Sequence, residues 1–352
     1  MRQIYTAFLI FSFSLFFNSN LIYATTPQFD KAGQSAVVLI YHRFDEPKYP
    51  NTNTTAEQLD AHINELKTGG YTVLPLEEII FRLRAGPPLP PKTVAITIDD
   101  AYRSIYDVAW PKFKAANLPI TVFVATDPVD QGVKSYMSWQ QITELSENGV
   151  NIGNHSASHA HMPNSPTSQS AKDIRRASTR LKQMLGNSPS LFAYPYGEVS
   201  LGLTKLIEAE GFMAAFGQQS GVIGSAPGYY NLPRFSLNEK YGNIDRFKLA
   251  VNSLPLKVSH INPNDPLIGI NNPPKIRFML DQSLASIRPK LLNCFLSSEG
   301  RAKINRTTTP DGETFIQIQA QKPFPKGRTR LNCTLPAENG RWRWYGEQYY
   351  VP

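Results

Sequence analysis

The sequence predicts an α/β fold, a distorted (β/α)7-8 barrel followed by a small C-terminal all-β, sandwich-like module. Two observations carry this expectation. Between residues 35 and 253 short apolar runs alternate with amphipathic helical stretches, so successive strands must pair in parallel. Beyond a proline-rich stretch at residues 254–274, helical periodicity gives way to period-two alternation.

The elements follow in order. Arg2 precedes an apolar run from Ala7 to Phe17, polar Asn18, Ser19 and Asn20, and a small residue at Ala24. A basic start, a short apolar core and a small residue near a cut point predict a signal peptide over residues 1–24. The run is about half of the ~20 residues that span a bilayer, so a retained anchor is the alternative reading. No cysteine follows it to accept a lipid. The expected location is the periplasm or the extracellular space, with no stable membrane span after signal removal.

Val37 to Tyr41 is the first expected strand. Thr54 and Glu57 suggest a capping box, Leu59, Ile63 and Leu66 recur at helical spacing, and Gly69-Gly70 stops the helix. A strand near Tyr71 to Leu74 and a helix near Leu76 to Ala85 come next. Strands are then expected at Val94 to Ile98, Ile120 to Ala125, Asn151 to Gly153, Leu191 to Tyr194 and Ala214 to Phe216. Pro255, Pro263, Pro266, Pro273 and Pro274 read as a linker over 254–274. In 275–352, Lys275 to Leu280, Thr314 to Gln321 and Arg328 to Leu335 alternate, with turns at Pro310-Asp311-Gly312 and Asn339-Gly340. The two cysteines, Cys294 and Cys333, fall in this β-rich domain. An even count behind an export signal reads as one disulfide, two buried free thiols being the alternative. In Arg341 to Tyr345, alternation places Trp342 and Trp344 on one face, as sandwich core or as a platform for sugar rings.

The chain has 352 residues, 41% hydrophobic and 18% charged, with 28 Pro and 22 Gly dispersed along it. This composition is that of a turn-rich globular protein and excludes disordered and fibrous classes. The net charge of +8 comes without a Lys/Arg run long enough to make a patch, so it is read as solubility charge and no nucleic-acid partner is expected. Nothing in the sequence specifies an oligomeric state.

In β/α architectures functional groups gather where strands end. Polar residues follow the apolar runs at Tyr41-His42, Asp99-Asp100, Asn154 to His159 and Tyr194 to Gly197. Two imidazoles four apart, His155 and His159, plus a carboxylate from another strand make a three-donor set for Zn2+ or a similar divalent ion. A second carboxylate beside it is placed to take a proton from water that the ion acidifies toward a pKa of about 7. Adjacent strand residues point to opposite sides, and the twist at a strand end is expected to bring both carboxylates to one centre.

The stretches T-I-D-D-A (Thr97 to Ala101), H-S-A-S-H (His155 to His159) and F-A-Y-P-Y-G (Phe192 to Gly197) resemble the successive motifs of the NodB-homology polysaccharide deacetylases, carbohydrate esterase family 4. The likeness spans about residues 36–253. It implies Asp99 as base and Asp100, His155 and His159 as metal ligands, with Zn2+, Co2+, Ni2+ or another divalent ion as cofactor. It also implies an oxyanion contact from the Tyr196 backbone N–H, and substrate contacts from Tyr194, Pro195 and Tyr196. Ala193 stands where the family's common third motif carries an Arg that braces the base, and Arg234 in L-P-R-F is the candidate for that charge or, otherwise, a surface ion pair. The family's late proton donor has no clear counterpart. His260 falls in the right order but in the proline-rich stretch; His42 is a proton donor, a substrate contact or a structural histidine. Tyr41-His42, F-A-Y-P-Y-G and L-P-R resemble most the branch acting on secreted poly-N-acetylglucosamine.

The resemblance implies a metal-dependent hydrolase of N-acetyl groups on a GlcNAc-containing polysaccharide. The alternatives are an O-acetyl esterase on cell-wall or hemicellulose sugars, and a glycan-binding protein that has lost catalysis.

Overall fold

The computed structural model describes residues 34–224, 228–281 and 289–352. The expected leader at residues 1–24 lies outside the described residues. Among the described residues no helix is long and apolar enough to cross a membrane.

The first part of the chain is a mixed α/β unit around one curled sheet. Its strands are β1 (Ser35–Tyr41), β4 (Thr72–Val73), β5 (Thr93–Asp99), β6 (Ile120–Val124), β7 (Asn151–Asn154), β8 (Leu191–Ala193), β9 (Ala214–Phe216), β10 (Ile223–Gly224) and β11 (Phe235–Ser236). A separate short pair joins β2 (Arg43–Phe44) to β3 (Asn53–Thr54). The 9-stranded sheet runs β10-β1-β5-β6-β7-β8-β9, with β4 on β5 and β11 on β1. Neighbours from β1 to β9 pair in parallel, while β10 runs antiparallel to β1.

One stretch of chain ties the two edges together. Leu232 exchanges backbone hydrogen bonds with Ala215 and Gly217 beside β9. Three residues later, Phe235 and Ser236 pair with Leu39 and Ile40 of β1. Arg234 sits between these two attachments.

Strand alternation sorts side chains to two cores. Val94, Ile96 and Ile98 of β5 join Val37, Leu39 and Tyr41 of β1 against the helices. Ala95 of β5 joins Ala36, Val38, Phe123, Ala193 and Phe216 in the other core, which the helix Leu76–Arg84 closes with Leu76, Ile79, Ile80 and Leu83. Thr97 and Asp99 continue the parity of Ala95, so Asp99 points to the inner side of the sheet.

The helix Ala56–Thr68 carries its capping box one residue later than expected. Thr55 and Gln58 form its capping box, not Thr54 and Glu57. Thr54 is unavailable because it is buried in β3. Each cap of this kind contributes about 1 kcal/mol.

The stretch 254–274, expected as a linker, contains strands. They are β12 (Leu254–Pro255) and β13 (Val258–Asn262), both at sheet edges. An edge position accommodates Pro255, which has no N–H to give to a neighbour. The remaining strands are β14 (Lys275–Leu280), β15 (Asn293–Leu296), β16 (Gly300–Arg301), β17 (Ile304–Thr308), β18 (Thr314–Gln319), β19 (Gly327–Pro336) and β20 (Trp342–Val351). They form a 5-stranded sheet, β12-β20-β19-β15-β16, and a 4-stranded sheet, β13-β14-β18-β17. The sheets share a core that includes Ile276, Phe278, Ile316, Leu331 and Tyr349. Cys294 and Cys333 are cross-strand neighbours on β15 and β19 and are joined by a disulfide.

Trp344 belongs to neither of its expected settings. Its ring meets Phe235 edge-on at 5.2 Å and lies under the Arg246 guanidinium at 5.0 Å. It therefore packs at the seam between the two parts of the chain, where the parallel pairing of β12 with β20 also holds them together.

Candidate active site

The site is built at the ends of β5, β7 and β8. Strand β5 stops at Asp99, and the chain turns through two left-handed residues, Asp100 (φ 77°) and Ala101 (φ 65°). That turn, rather than strand twist, brings Asp100 round beside Asp99. Left-handed backbone recurs at Ser156 (φ 64°), His159 (φ 54°) and Tyr196 (φ 59°). Each such non-glycine residue costs about 1–3 kcal/mol, and they persist only where the surroundings fix them.

Those surroundings are visible. Asn154 Oδ1 accepts from Ser156 N at 2.7 Å, an Asx-type turn, while its Nδ2 donates to Ile174 O and Ser178 Oγ on the following helix. Asp173 of that helix accepts from the N–H groups of Ala157 and Ser158. The loop carrying both histidines is thus tied at each side.

His155 Nδ1 lies 2.7 Å from Ala193 O. A carbonyl only accepts, so Nδ1 carries the proton and Nε2 presents its lone pair. That Nε2 is buried without a hydrogen-bond partner. It stands 3.3 Å from Asp100 Oδ1, and His159 Nε2 stands 3.1 Å from the same oxygen. One ligand atom from each of Asp100, His155 and His159 lies within 4.8 Å of the others. An orphaned imidazole lone pair, a carboxylate and a second imidazole, the first braced by a carbonyl behind it, fit a divalent cation.

Asp99 is wholly buried and is held by Arg234, also wholly buried. Arg234 Nη1 and Nη2 donate to Asp99 Oδ1 and Oδ2 at 2.7 and 2.8 Å. Its other donors go to Gly217 O (2.9 Å) and Thr97 Oγ1 (3.1 Å), and Thr97 in turn donates to Leu39 O (2.6 Å). Arg234 is therefore no surface ion pair; it occupies the inner side of the sheet beneath the base candidate. Ala193, also on that side, leaves room there. Burial pushes the Asp99 carboxyl up, but the charges of Arg234 and His155 outweigh it and hold the group below its ordinary value. Burial likewise opposes ionisation of Asp100, and the imidazoles of His155 and His159 beside it hold it well below the usual range.

His42 is brought to this cluster. Its Nε2 lies 3.5 Å from Gln218 Nε2, and it feels the charges of Asp100 and Asp99. Burial is the larger influence and lowers its pKa, which keeps the ring neutral near pH 7. His260 is not part of the cluster: it is exposed on β13, with Nδ1 3.2 Å from Ser259 Oγ.

Tyr194, Pro195 and Tyr196 lead away from β8 in a tight turn. Tyr194 is wholly buried with its hydroxyl on Tyr230 O at 2.8 Å, so its side chain serves packing rather than contact with a ligand. Tyr196 sets its ring edge-on to His159 at 4.5 Å. Gly197 is required there: a Cβ would meet Gln218 N at 2.5 Å, and its φ is +66°.

Sequence reasoning missed His161 and Glu198. The His161 ring stacks on Tyr196 at 4.1 Å, and its Nδ1 lies 2.8 Å from Glu198 Oε2. The signal was present as a third histidine two residues after His159, and as a carboxylate directly after Y-P-Y-G.

A three-donor pocket beside a clamped carboxylate, at the strand ends of a curled α/β sheet, defines an enzyme of the carbohydrate esterase and deacetylase class. Residues 86–215 match the polysaccharide deacetylase family. That matched segment is a polysaccharide deacetylase domain, and the relatives and solved structures below support the NodB type, carbohydrate esterase family 4. The chain is 25% identical over 228 residues to a poly-beta-1,6-N-acetyl-D-glucosamine N-deacetylase of Staphylococcus epidermidis, covering 57% of this chain and 78% of the relative. The structure of IcaB from Ammonifex degensii superposes with a TM-score of 0.53 at 25% identity, over 61% of this chain and 96% of that one. Streptococcus pyogenes deacetylase PplD, solved with acetate, shares the fold with a TM-score of 0.56 at 20% identity, over 59% of this chain and 94% of that one.

Proposed function

We propose that the protein removes N-acetyl groups from a GlcNAc-containing polysaccharide at the cell surface or outside the cell. The observation that carries this reading is the pairing of Asp99, locked to Arg234, with the Asp100–His155–His159 donor set beside it. The names of the Staphylococcus epidermidis relative and of its Staphylococcus aureus counterparts point to the same substrate class.

Asp100, His155 and His159 would hold a divalent cation, with Zn2+, Co2+ and Ni2+ as candidates. When bound, such an ion polarises the acetamide carbonyl and brings the pKa of water down toward about 7. Asp99 takes the proton of the attacking water; Arg234 keeps it ionised and aimed. The Tyr196 N–H would donate to the developing oxyanion, a contact worth about 3 kcal/mol when preorganised. His42, neutral at rest, relays a proton to the departing amine. The atoms balance as water plus acetamide giving acetate and a free amine.

The leader-like residues 1–24 and the Cys294–Cys333 disulfide support placing this reaction in an oxidising compartment. The test is acetate release from poly-β-1,6-GlcNAc, chito-oligomers and acetylated xylan by purified enzyme. Release from the amino-sugar polymer supports the reading, and release confined to xylan replaces it with ester hydrolysis.

A further inference from the structure

The C-terminal β-module touches the turn that carries Tyr196. Gln348 of β20 is almost completely buried, at 1% exposure. Its Nε2 donates to Tyr196 O at 3.0 Å and to Gly197 O at 2.7 Å, and its Oε1 accepts from Arg330 Nε of β19 at 2.9 Å. Both carbonyls can only accept and Arg330 can only donate, so this amide has one orientation.

Neighbouring residues repeat the pattern. Arg330 pairs with Gln348 in the β19–β20 ladder, and Arg328 pairs with Tyr350. Alternation sets these four on one face, while Tyr349 and Leu331 go to the module's own core. From that face Arg328 Nη1 reaches Tyr196 O at 3.4 Å and its Nε lies 3.7 Å from Glu198 Oε1. Tyr350 donates to Asn164 Oδ1 at 3.0 Å and its ring stacks 6.4 Å from His161.

We infer that the β-module is a working part of the active site, with Gln348 as the positioning residue that fixes the Tyr196 peptide. The inference rests on the reading of Tyr196 as the oxyanion donor. Tyr196 (φ 59°, ψ 4°) is left-handed, which a non-glycine residue does not favour, and the turn's own bonds, Gly197 N–H to Tyr194 O and Glu198 N–H to Pro195 O, leave the Tyr196 and Gly197 carbonyls to outside partners. Three bonds on two successive carbonyls over-determine it from outside. Gln348 donates on the C-terminal side of Tyr196, so fixing those peptides fixes the direction of the Tyr196 N–H on the other side. The module thus acts through Tyr196 and touches no reacting atom.

The test uses the full-length, metal-loaded protein with Gln348→Met, which keeps the volume and removes the donors. The expected result is a kcat for acetate release about ten- to a hundredfold lower, with KM and metal per chain unchanged. In the metal-free protein, amide exchange over residues 194–198 accelerates in the variant while the rest of the β8–β9 region keeps its protection. A folded Gln348→Met enzyme with kcat within about twofold of wild type overturns the inference. So does a kcat that falls only in step with metal content or unfolding. If that variant does not fold, Arg330→Met, which releases Gln348 Oε1, carries the same kcat-against-KM comparison. A wild-type protein that releases no acetate from any acetylated glycan defeats the reading of the reaction; the exchange over 194–198 then still decides whether Gln348 pins the turn.

Discussion

Arg234 and Asp99 meet through two parallel hydrogen bonds, Nη1 to Oδ1 and Nη2 to Oδ2, in a pocket that leaves neither side chain any exposure. The fork fits the carboxylate and the remaining guanidinium donors are taken by Gly217 and Thr97, so the charge is paired on every side. Replacing Arg234 by Met strands a buried carboxylate. The expected loss is about 3–5 kcal/mol of stability in urea unfolding, together with loss of activity. Arg234→Lys keeps a charge but not the fork, and is expected to restore less than the wild-type rate.

Asp99→Asn tests the proposed base apart from the candidate metal donors. Asp99 Oδ2 lies 3.9 Å from His155 Nε2, and Asp99 is not one of the three clustered donors. The variant should bind metal with unchanged stoichiometry while kcat falls about 10²- to 10⁴-fold. Elemental analysis beside acetate release checks this, and normal turnover in the variant defeats the proposed role.

Removing metal should abolish activity and lower the melting temperature together. A ligand that binds only the folded state at a hundred times its dissociation constant adds about 2.7 kcal/mol. Zn2+ or Co2+ added to chelated wild type should restore both Tm and activity; Asp100→Ala should respond in neither. A Tm rise of equal size in the variant places the binding elsewhere.

His62 predicts an acid-sensitive step away from the reaction. It is buried against Phe247, 4.1 Å between nearly parallel rings, and its Nε2 lies 2.7 Å from Gly242 O. Nε2 therefore holds the proton and Nδ1 accepts from the Tyr41 hydroxyl, at 3.1 Å. Burial lowers its pKa to about 4 from 6.5. The unfolded chain binds this proton first as pH falls, so the stability is complete above about pH 6.5 and is lost progressively toward pH 4. The span corresponds to about 3 kcal/mol at most. His62→Gln, which can donate and accept at the same two places, should flatten the slope of urea midpoint against pH in that window.

Much of the centre was legible because its logic is local. Asp99-Asp100 and His155 to His159 follow apolar runs, and strand ends are where a β/α fold exposes polar groups. Arg234 was legible as a cation in a fitting place, although its burial was not. What the sequence hides is what depends on distant partners. Gln348 lies 152 residues from Tyr196, and nothing in R-W-R-W-Y or its neighbours announces that β20 turns one face to the catalytic turn. Trp344 was misplaced for the same reason: period-two alternation tells which residues share a face, not which surface that face meets. The capping box slipped by one residue for a nearer reason, because Thr54 is claimed by its pairing with Phe44 in the short strand pair just before the helix. The proline-rich stretch misled because prolines exclude central strands but are compatible with edge ones.

The stretch that ties Leu232 to β9 and Phe235 to β1 also delivers Arg234. Synthesis order gives this a consequence. The three candidate metal donors and the proposed base, Asp99, all precede that stretch in the chain. Without residues 229–236 Asp99 lacks the Arg234 fork that opposes the effect of its burial. Under the proposed reaction, a chain cut before residue 229 would carry the candidate base without its Arg234 partner.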